Sequence, residues 1–136
     1  MRPPEEIRKD QVAQWVHKAE EDLGAANLLL GPGCFAAAIG FHSQQAAEKY
    51  LKAFLVWNQT DFPKTHDLGK LLDLVALTNK ALSESLYDIN VLTDYGVDIR
   101  YPGDIPELSL AEAKEAVALA EKVRDAVMAE LPGGKK

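Results

Sequence analysis

The sequence is poor in residues that several classes of protein require. It has one cysteine, Cys34, which excludes an intrachain disulfide and favours a reducing compartment. The formal net charge is −6, so a broad basic surface for nucleic acid is excluded, and any nucleotide or RNA site must be a local basic pocket. No uninterrupted apolar run approaches the roughly 20 residues of a membrane helix, and the polar N-terminal residues do not resemble a secretory signal. We therefore expect a soluble, cytoplasmic protein that makes no membrane contact.

The usual catalytic signatures are absent as well. Three scattered histidines and one cysteine do not have the spacing of zinc ligands. There is no glycine-rich phosphate loop and no Gly-x-Ser-x-Gly motif. Gly31-Pro32-Gly33 is interpreted as a helix breaker, because no predicted strand precedes it. We expect no bound metal and no cofactor, although a nucleotide remains a possible ligand.

Apolar residues recur at helical spacing along most of the chain. With 136 residues, 47% of them hydrophobic, we expect residues 1–136 to form a single domain with one core over about 11–131. The predicted helices run from about Gln11 to Leu30, from Cys34 to about Trp57, over a short segment capped by Thr65, from about Leu82 to Tyr95, and from a Ser109/Glu112 capping box to Leu131. Residues 97–107 are a predicted loop. The pattern predicts an all-α, up-and-down four-helix bundle with a short additional helix.

The second predicted helix has an apolar half and a polar half. At about 100° per residue, the apolar half, which starts at Phe35, is predicted to be core. The polar half collects His42, Gln44, Gln45, Glu48, Lys49 and Lys52. In one interpretation this is a solvated face on which Glu48 and Lys52 form an ordinary ion pair. In the other, His42, Lys49 and the amides converge on an anion such as a phosphate, or contact a second copy of the chain.

Three further residues are candidates for a role outside that helix. His66 lies at the start of the third predicted helix, where backbone N–H groups could hold an anion or the imidazole could simply cap the turn. Arg100 is either functional or the partner of Asp94, Asp98 or Asp104 in a structural salt bridge. His17 lies opposite the apolar stripe of the first helix, so we expect it to be exposed and to have no role.

Four motifs occur in order along the chain. They are Trp15-x3-Ala19-x2-Asp22-Leu23-x2-Ala26, Phe35-x5-Phe41-x2-Gln44-Gln45-Ala46-Ala47-Glu48-Lys49-x-Leu51-Lys52-Ala53, Lys64-Thr65-His66-Asp67-Leu68 and Leu92-x2-Tyr95-x4-Arg100-Tyr101-Pro102. Together they resemble the HEPN domain family. The resemblance implies a helical up-and-down bundle that is usually a homodimer.

Many members of that family are metal-independent endoribonucleases with an arginine followed, after four to six residues, by a histidine. Arg100 matches the arginine, but Ile105, Pro106 and Glu107 stand where the histidine would be. A ribonuclease would therefore need His42 or His66 in its place, with Arg100 and His66 as candidate catalytic residues. Imidazole is the side chain best suited to proton transfer near neutral pH.

The Gln-Gln-Ala-Ala-Glu-Lys-x-Leu-Lys-Ala and Arg-Tyr-Pro strings resemble more closely a branch associated with minimal nucleotidyltransferases in toxin–antitoxin and resistance-like systems. This implies a module that binds a nucleotide or RNA phosphate and acts with a separate nucleotidyltransferase-type partner, since the Gly-Ser and paired-aspartate signature of that enzyme is absent. A purely structural dimerisation or interaction domain is the remaining alternative. The ligand-binding residues implied by the resemblance are Gln45, Glu48, Lys49, Lys52, His66 and Arg100, with Glu48 orienting the cations.

Overall fold

The computed structural model describes residues 4–96 and 108–132, and both ranges are mainly helical. The elements are α1 (Pro4–Leu30), α2 (Ala36–Trp57), α3 (Leu68–Val75), α4 (Lys80–Ser85), a 3₁₀ helix (Tyr87–Gly96) and α5 (Leu110–Met128). Within these two ranges there is no strand. The predicted all-α helical bundle is confirmed, with three short helices, α3, α4 and the 3₁₀ helix, between its long helices α2 and α5.

Helices α1 and α2 form the main antiparallel pair. α1 is already helical at Pro4, upstream of the predicted start, and ends at Leu30 before the Gly31-Pro32-Gly33 turn, as predicted. Gly33 has a φ of 75°, a left-handed conformation that glycine adopts without steric cost. The buried residues of α1 follow one another at spacings of seven, four and three positions, which keeps them on one face of the helix: Val12, Ala19, Leu23 and Ala26.

Helix α2 is the central element of the bundle. It packs against α1, α3, the 3₁₀ helix and α5, so little of its circumference remains free. Gln44, Glu48 and Lys52 of its polar half are only 0%, 3% and 7% exposed. The interpretation of this half as a solvated face is therefore wrong for these three residues, because neighbouring elements cover them.

The prediction that the buried apolar half of α2 starts at Phe35 is wrong. The Phe35 side chain is 73% exposed, and its backbone is left-handed, with φ 60° and ψ 57°. Phe35 is the residue before α2, whose first helical residue is Ala36. Because its backbone is not helical, Phe35 does not follow the angular spacing that places Ile39 and Tyr50 in the core.

The start of α3 differs from the prediction. Its N-cap is Asp67 and not Thr65, because the Asp67 carboxylate accepts hydrogen bonds from the backbone N–H groups of Gly69 and Lys70. Thr65 accepts a hydrogen bond from the Asp67 N–H group and so supports the turn that precedes the cap. The first N–H groups of α3 are thus occupied within the chain itself, that of Leu68 by the Thr93 hydroxyl and those of Gly69 and Lys70 by the Asp67 carboxylate.

The predicted fourth helix is two elements. α4 ends at Ser85, and the chain continues as the 3₁₀ helix, whose last residue is the predicted stop, Gly96. Leu86, Ile89 and Leu92 are each 0% exposed and three residues apart. A spacing of three matches the three residues per turn of a 3₁₀ helix, so this geometry keeps all three side chains on one face.

The last helix follows its predicted signals. Ser109 accepts a hydrogen bond from the Glu112 N–H group while the Glu112 carboxylate accepts one from the Ser109 N–H group, which confirms the capping box. α5 ends at Met128, and the predicted core residue Leu131 is buried beyond its end. The loop predicted for residues 97–107, including Arg100, lies outside the described residues. No helix in the described ranges is long and apolar enough to cross a membrane.

Candidate functional site

A buried carboxylate, Glu48, organises the polar half of α2. Its Oε1 accepts a hydrogen bond from Gln44 Nε2 at 3.1 Å and lies 2.8 Å from His66 Nδ1. Its Oε2 accepts a hydrogen bond from Lys52 Nζ at 2.8 Å. Both oxygens are therefore engaged by donors, as a buried carboxylate requires. Gln44, Gln45, Glu48, Lys52 and His66 are called the Glu48 cluster below.

The Glu48 carboxyl group is held in its ionised form. Burial alone would raise its pKa, since desolvation penalises the charge. Hydrogen bonds from Lys52, His66 and Gln44, together with the charge of Lys52, outweigh this effect and lower the pKa below its ordinary value of 4.5. Glu48 is therefore an acceptor for its neighbours near neutral pH.

Gln44 links the cluster to two other parts of the chain. Besides its bond to Glu48, its Nε2 donates to the backbone oxygen of His66 at 3.2 Å, and its Oε1 accepts from Gln45 Nε2 at 2.7 Å. The same side chain lies directly against Gly96, where a Cβ atom would overlap Gln44 Oε1. Gln44 thus connects α2 with the turn before α3 and with the end of the 3₁₀ helix.

The Lys52 ammonium group lies between an acid and two aromatic rings. It is 5.5 Å from the Trp15 ring centroid and 5.7 Å from that of Phe62, distances at which a cation is attracted to an aromatic face. The two rings contact each other edge to face, at 6.2 Å between centroids. With its side chain only 8% exposed and paired with Glu48, Lys52 holds the carboxylate in place and has little surface to offer a ligand.

His66 is the exposed member of the Glu48 cluster, with 66% of its side chain accessible. Because an ionised carboxylate only accepts hydrogen bonds, its short contact with Glu48 assigns the proton to Nδ1. Nε2 is then a lone-pair acceptor in the neutral ring and an N–H donor in the protonated ring. A carboxylate that orients an imidazole through Nδ1 is a recurring arrangement in acid–base and ligand-binding sites.

A second group, the Asp22 cluster, joins α1 to α2. Asp22 Oδ1 lies 2.8 Å from His42 Nδ1, and Asp22 Oδ2 accepts a hydrogen bond from Lys49 Nζ at 2.6 Å. The three side chains are partly exposed: 14% for Asp22, 32% for His42 and 23% for Lys49. One aspartate therefore holds two cation-forming side chains that lie one helical repeat apart on α2.

The sequence matches the family model of the HEPN domain over residues 12–131. The chain belongs to the HEPN domain family. No curated protein matches it significantly.

A solved structure with similar sequence supports the HEPN fold. The protein TT1696 from Thermus thermophilus, known from its crystal structure, is 31% identical in sequence and superposes with a TM-score of 0.72. The alignment covers 89% of this chain and 98% of that one. The two chains therefore share the fold over nearly their whole lengths.

The described part of this HEPN domain brings some of the predicted site residues together and separates others. Gln45, Glu48, Lys52 and His66 belong to the Glu48 cluster, whereas Lys49 pairs with Asp22. Arg100 lies outside the described residues. The start of α3 was predicted to hold an anion, but the N–H groups of Gly69 and Lys70 already donate to the Asp67 carboxylate.

Three residues of these clusters were not among the predicted ligand-binding residues: His42, Gln44 and Asp22. Gln44 and Asp22 are fixed positions of the motifs that resemble the family, but neither has a helical position that predicts its contacts. Gln44 was assigned to a polar face and is fully buried, and Asp22 reaches its partners only when α1 packs on α2. His17, as expected, is exposed, and its contact is with Glu21 one turn along α1.

Two concave surfaces of the described chain are lined by neither Glu48 nor His66. One is lined by residues of α3 and the 3₁₀ helix, including Asp67, Lys70 and Tyr87. The other lies beside the start of α1 and includes Arg8 and Phe62. The described residues contain no group of acidic, histidine or cysteine side chains arranged to hold a metal ion.

Proposed function

We propose that this HEPN domain binds the phosphate group of a nucleotide or RNA through His66, which Glu48 and Lys52 hold in position. The observation that carries the proposal is the 2.8 Å contact between buried Glu48 and exposed His66. It orients the imidazole so that Nε2 is available to an external group. When protonated, the ring offers a phosphate oxygen a charge-assisted hydrogen bond.

The other proposed ligand contacts are Gln45 and Arg100. Gln45 is partly exposed and donates one amide hydrogen bond to Gln44, which leaves its Oε1 as an acceptor. The proposal for Arg100 rests on its match to the family motif and on the suitability of guanidinium for phosphate. Lys52 and Glu48 neutralise each other and act as positioning residues.

The proposal extends to the partners that the resemblance implies. The domain forms a homodimer and acts with a separate minimal nucleotidyltransferase in a toxin–antitoxin-like system. The motif strings shared with that branch support this step. Co-expression with a candidate transferase, followed by light scattering of the purified complex, tests it: a protein that stays monomeric and never associates with the transferase contradicts it.

Calorimetric titration with uridine 5′-monophosphate (UMP), adenosine 5′-triphosphate and a short single-stranded RNA tests the binding proposal. His66→Gln, and separately Arg100→Ala, should weaken binding about tenfold or more, because each removes a charge-assisted contact. His17→Gln is the matched control, since His17 is also exposed and faces a carboxylate, Glu21, at 3.4 Å. Absence of heat with every ligand, or equal affinities of His66→Gln and His17→Gln, would reject the site.

A second candidate function is metal-independent cleavage of RNA. It is favoured by the same Glu48–His66 contact, because a neutral imidazole held through Nδ1 can accept the proton of a ribose hydroxyl at Nε2. The test is incubation with labelled RNA in the presence of a chelator. Cleavage that is lost in His66→Gln and Arg100→Ala supports an endoribonuclease, whereas binding without cleavage supports the binding module. A folded protein that assembles normally but neither binds nor cleaves these ligands would support the remaining alternative, a dimerisation or interaction domain.

A further inference from the structure

The Asp22 cluster lies next to the Glu48 cluster on α2, because Lys49 directly follows Glu48 in the helix. The proposed function does not use it. His42 and Lys49 are seven residues apart, so they share one face of the helix. Both Asp22 oxygens are occupied by these two side chains, which fixes the positions of the imidazole and the ammonium group. The cluster contains one acidic side chain and two that can carry positive charge.

The outward-facing atoms of the Asp22 cluster are hydrogen-bond donors or can become donors. His42 contacts Asp22 through Nδ1, so its Nε2 points away from the carboxylate, and the side chain is 32% exposed. Lys49 donates one of its three N–H bonds to Asp22, and its side chain is 23% exposed. This combination suits an anion that approaches from solvent.

Gln45 connects the two clusters. It lies three residues after His42 and four before Lys49, on the same helical face, and its Nε2 donates to Gln44 of the Glu48 cluster. A polar strip therefore runs from His42 and Lys49 through Gln45 to Glu48 and His66. Lys49 follows Glu48 by one residue, about 100° around α2, and the two groups of side chains are held by different carboxylates, Asp22 and Glu48. The strip therefore has two separately held sets of donors.

We propose that Asp22, His42 and Lys49 form a second anion-contacting point, so that the strip takes a ligand with two separate phosphate groups, such as a short oligonucleotide. His42 and Lys49 bind one phosphate, Asp22 positions both, and His66 binds the other. This inference rests on the proposed function for the contact at His66. It specifies the class of ligand: a nucleotide chain in preference to a mononucleotide.

The test compares the dissociation constants of UMP and of 5′-phosphorylated diuridine (pUpU), measured by calorimetry on the full chain. Linked contacts increase affinity through a high effective concentration, so pUpU should bind the wild-type protein about tenfold or more tightly than UMP. In Lys49→Met and in His42→Gln, the dissociation constants of UMP and pUpU should differ by no more than about twofold. Circular dichroism melts of both variants establish that they are folded.

Lys122→Met is the matched control, because Lys122 forms an ion pair with Asp88 at 2.9 Å between α5 and the 3₁₀ helix. It should keep the wild-type ratio of the two dissociation constants. Equal affinities for UMP and pUpU in the wild-type protein, or an unchanged ratio in folded Lys49→Met and His42→Gln, would overturn the second contact while leaving phosphate binding at His66 intact. Failure of wild-type protein to bind either ligand would instead overturn the proposed function and this inference with it.

Discussion

The Glu48 carboxylate and the His66 imidazole are 2.8 Å apart, yet the side chain of one is 4% exposed and that of the other 66%. A buried charge on the central helix thereby controls the orientation of a ring at the surface. Lys52, itself 8% exposed, supplies the opposite charge that makes the buried carboxylate tolerable. The chemistry proposed for the surface therefore depends on an ion pair in the interior.

Acid is expected to destabilise the protein through Glu48. Burial tends to raise the pKa of this group, but the hydrogen bonds from Lys52, His66 and Gln44 prevail and lower it below its ordinary value of 4.5. A carboxyl group whose pKa is lower in the folded state stabilises the fold at pH above that ordinary value. This contribution disappears as the pH falls through the lowered pKa.

Urea unfolding of the wild-type protein and Glu48→Gln at a series of pH values between about 3 and 6 checks this prediction. The free energy of unfolding should fall more steeply with acid in the wild-type protein, since the variant has no carboxyl group to protonate at this position. Parallel pH profiles of the two proteins would contradict it.

Removing both members of the Glu48–Lys52 pair should lower the free energy of unfolding by less than the sum of the two single removals. Glu48→Gln and Lys52→Met each leave one buried charge without its main partner, and each should lower the free energy of unfolding by about 3–5 kcal/mol. The double variant should lose clearly less than the sum, because no unpaired buried charge remains. A double-mutant cycle from urea unfolding measures the difference.

Lys80 and Glu84 provide the matched control for that cycle. They have the same spacing of four residues, but their side chains are 80% and 68% exposed and their charged atoms are 4.0 Å apart. Solvent screening predicts no measurable coupling between them. Equal coupling in the buried and exposed pairs would refute the structural role assigned to burial.

Gly96 is required by its close approach to Gln44. A Cβ atom at this position would overlap Gln44 Oε1, and the Gln44 side chain is held by its bonds to Glu48 and to the His66 backbone. Gly96→Ala should therefore lower the free energy of unfolding by about 1–3 kcal/mol. Thermal or urea unfolding gives the value.

Gly24→Ala, on the exposed face of α1, is the counterpart of Gly96→Ala. A Cβ atom at Gly24 meets nothing within 4 Å, and alanine favours a helix over glycine by about 0.5–1 kcal/mol. This variant should be more stable than the wild-type protein. If Gly96→Ala raises stability as Gly24→Ala does, the contact between Gly96 and Gln44 is not a constraint.

Tyr50→Phe should maintain or increase stability. The Tyr50 hydroxyl is buried and has no hydrogen-bond partner among the described residues. Burial, followed by the charge of Glu20, raises its pKa to about 12. Removing an unsatisfied buried hydroxyl should raise the free energy of unfolding by about 1 kcal/mol.

Urea unfolding measures the stability change caused by Tyr50→Phe. An absorbance titration of the wild-type protein should show a tyrosine that ionises near pH 12, and this tyrosine should be absent from the variant. Tyr87→Phe, at a residue that is 75% exposed, is the control and should leave stability unchanged. A loss of stability in Tyr50→Phe comparable to that of other buried polar substitutions would show that the hydroxyl has a partner.

Local signals predicted much of the fold. The Ser109/Glu112 capping box and the Gly31-Pro32-Gly33 turn depend on residues within a few positions of each other, and both occur as predicted. The apolar spacing of Leu86, Ile89 and Leu92 predicted their burial but not the 3₁₀ geometry. Spacings of three and four residues fit one face of either helix type over so short a segment, so periodicity could not decide between them.

The sequence by itself determined that the chain is helical and which residues of α2 are polar. Only the tertiary structure decided that Gln44, Glu48 and Lys52 are buried, that Lys49 pairs with Asp22 and that His66 contacts Glu48. The spacing of apolar residues predicts the side of a helix on which a residue lies. Whether that residue is buried, and with what it pairs, depends on which other elements pack against that side. Here the partners come from α1 and from the turn before α3, which are distant in sequence and meet only in the folded chain.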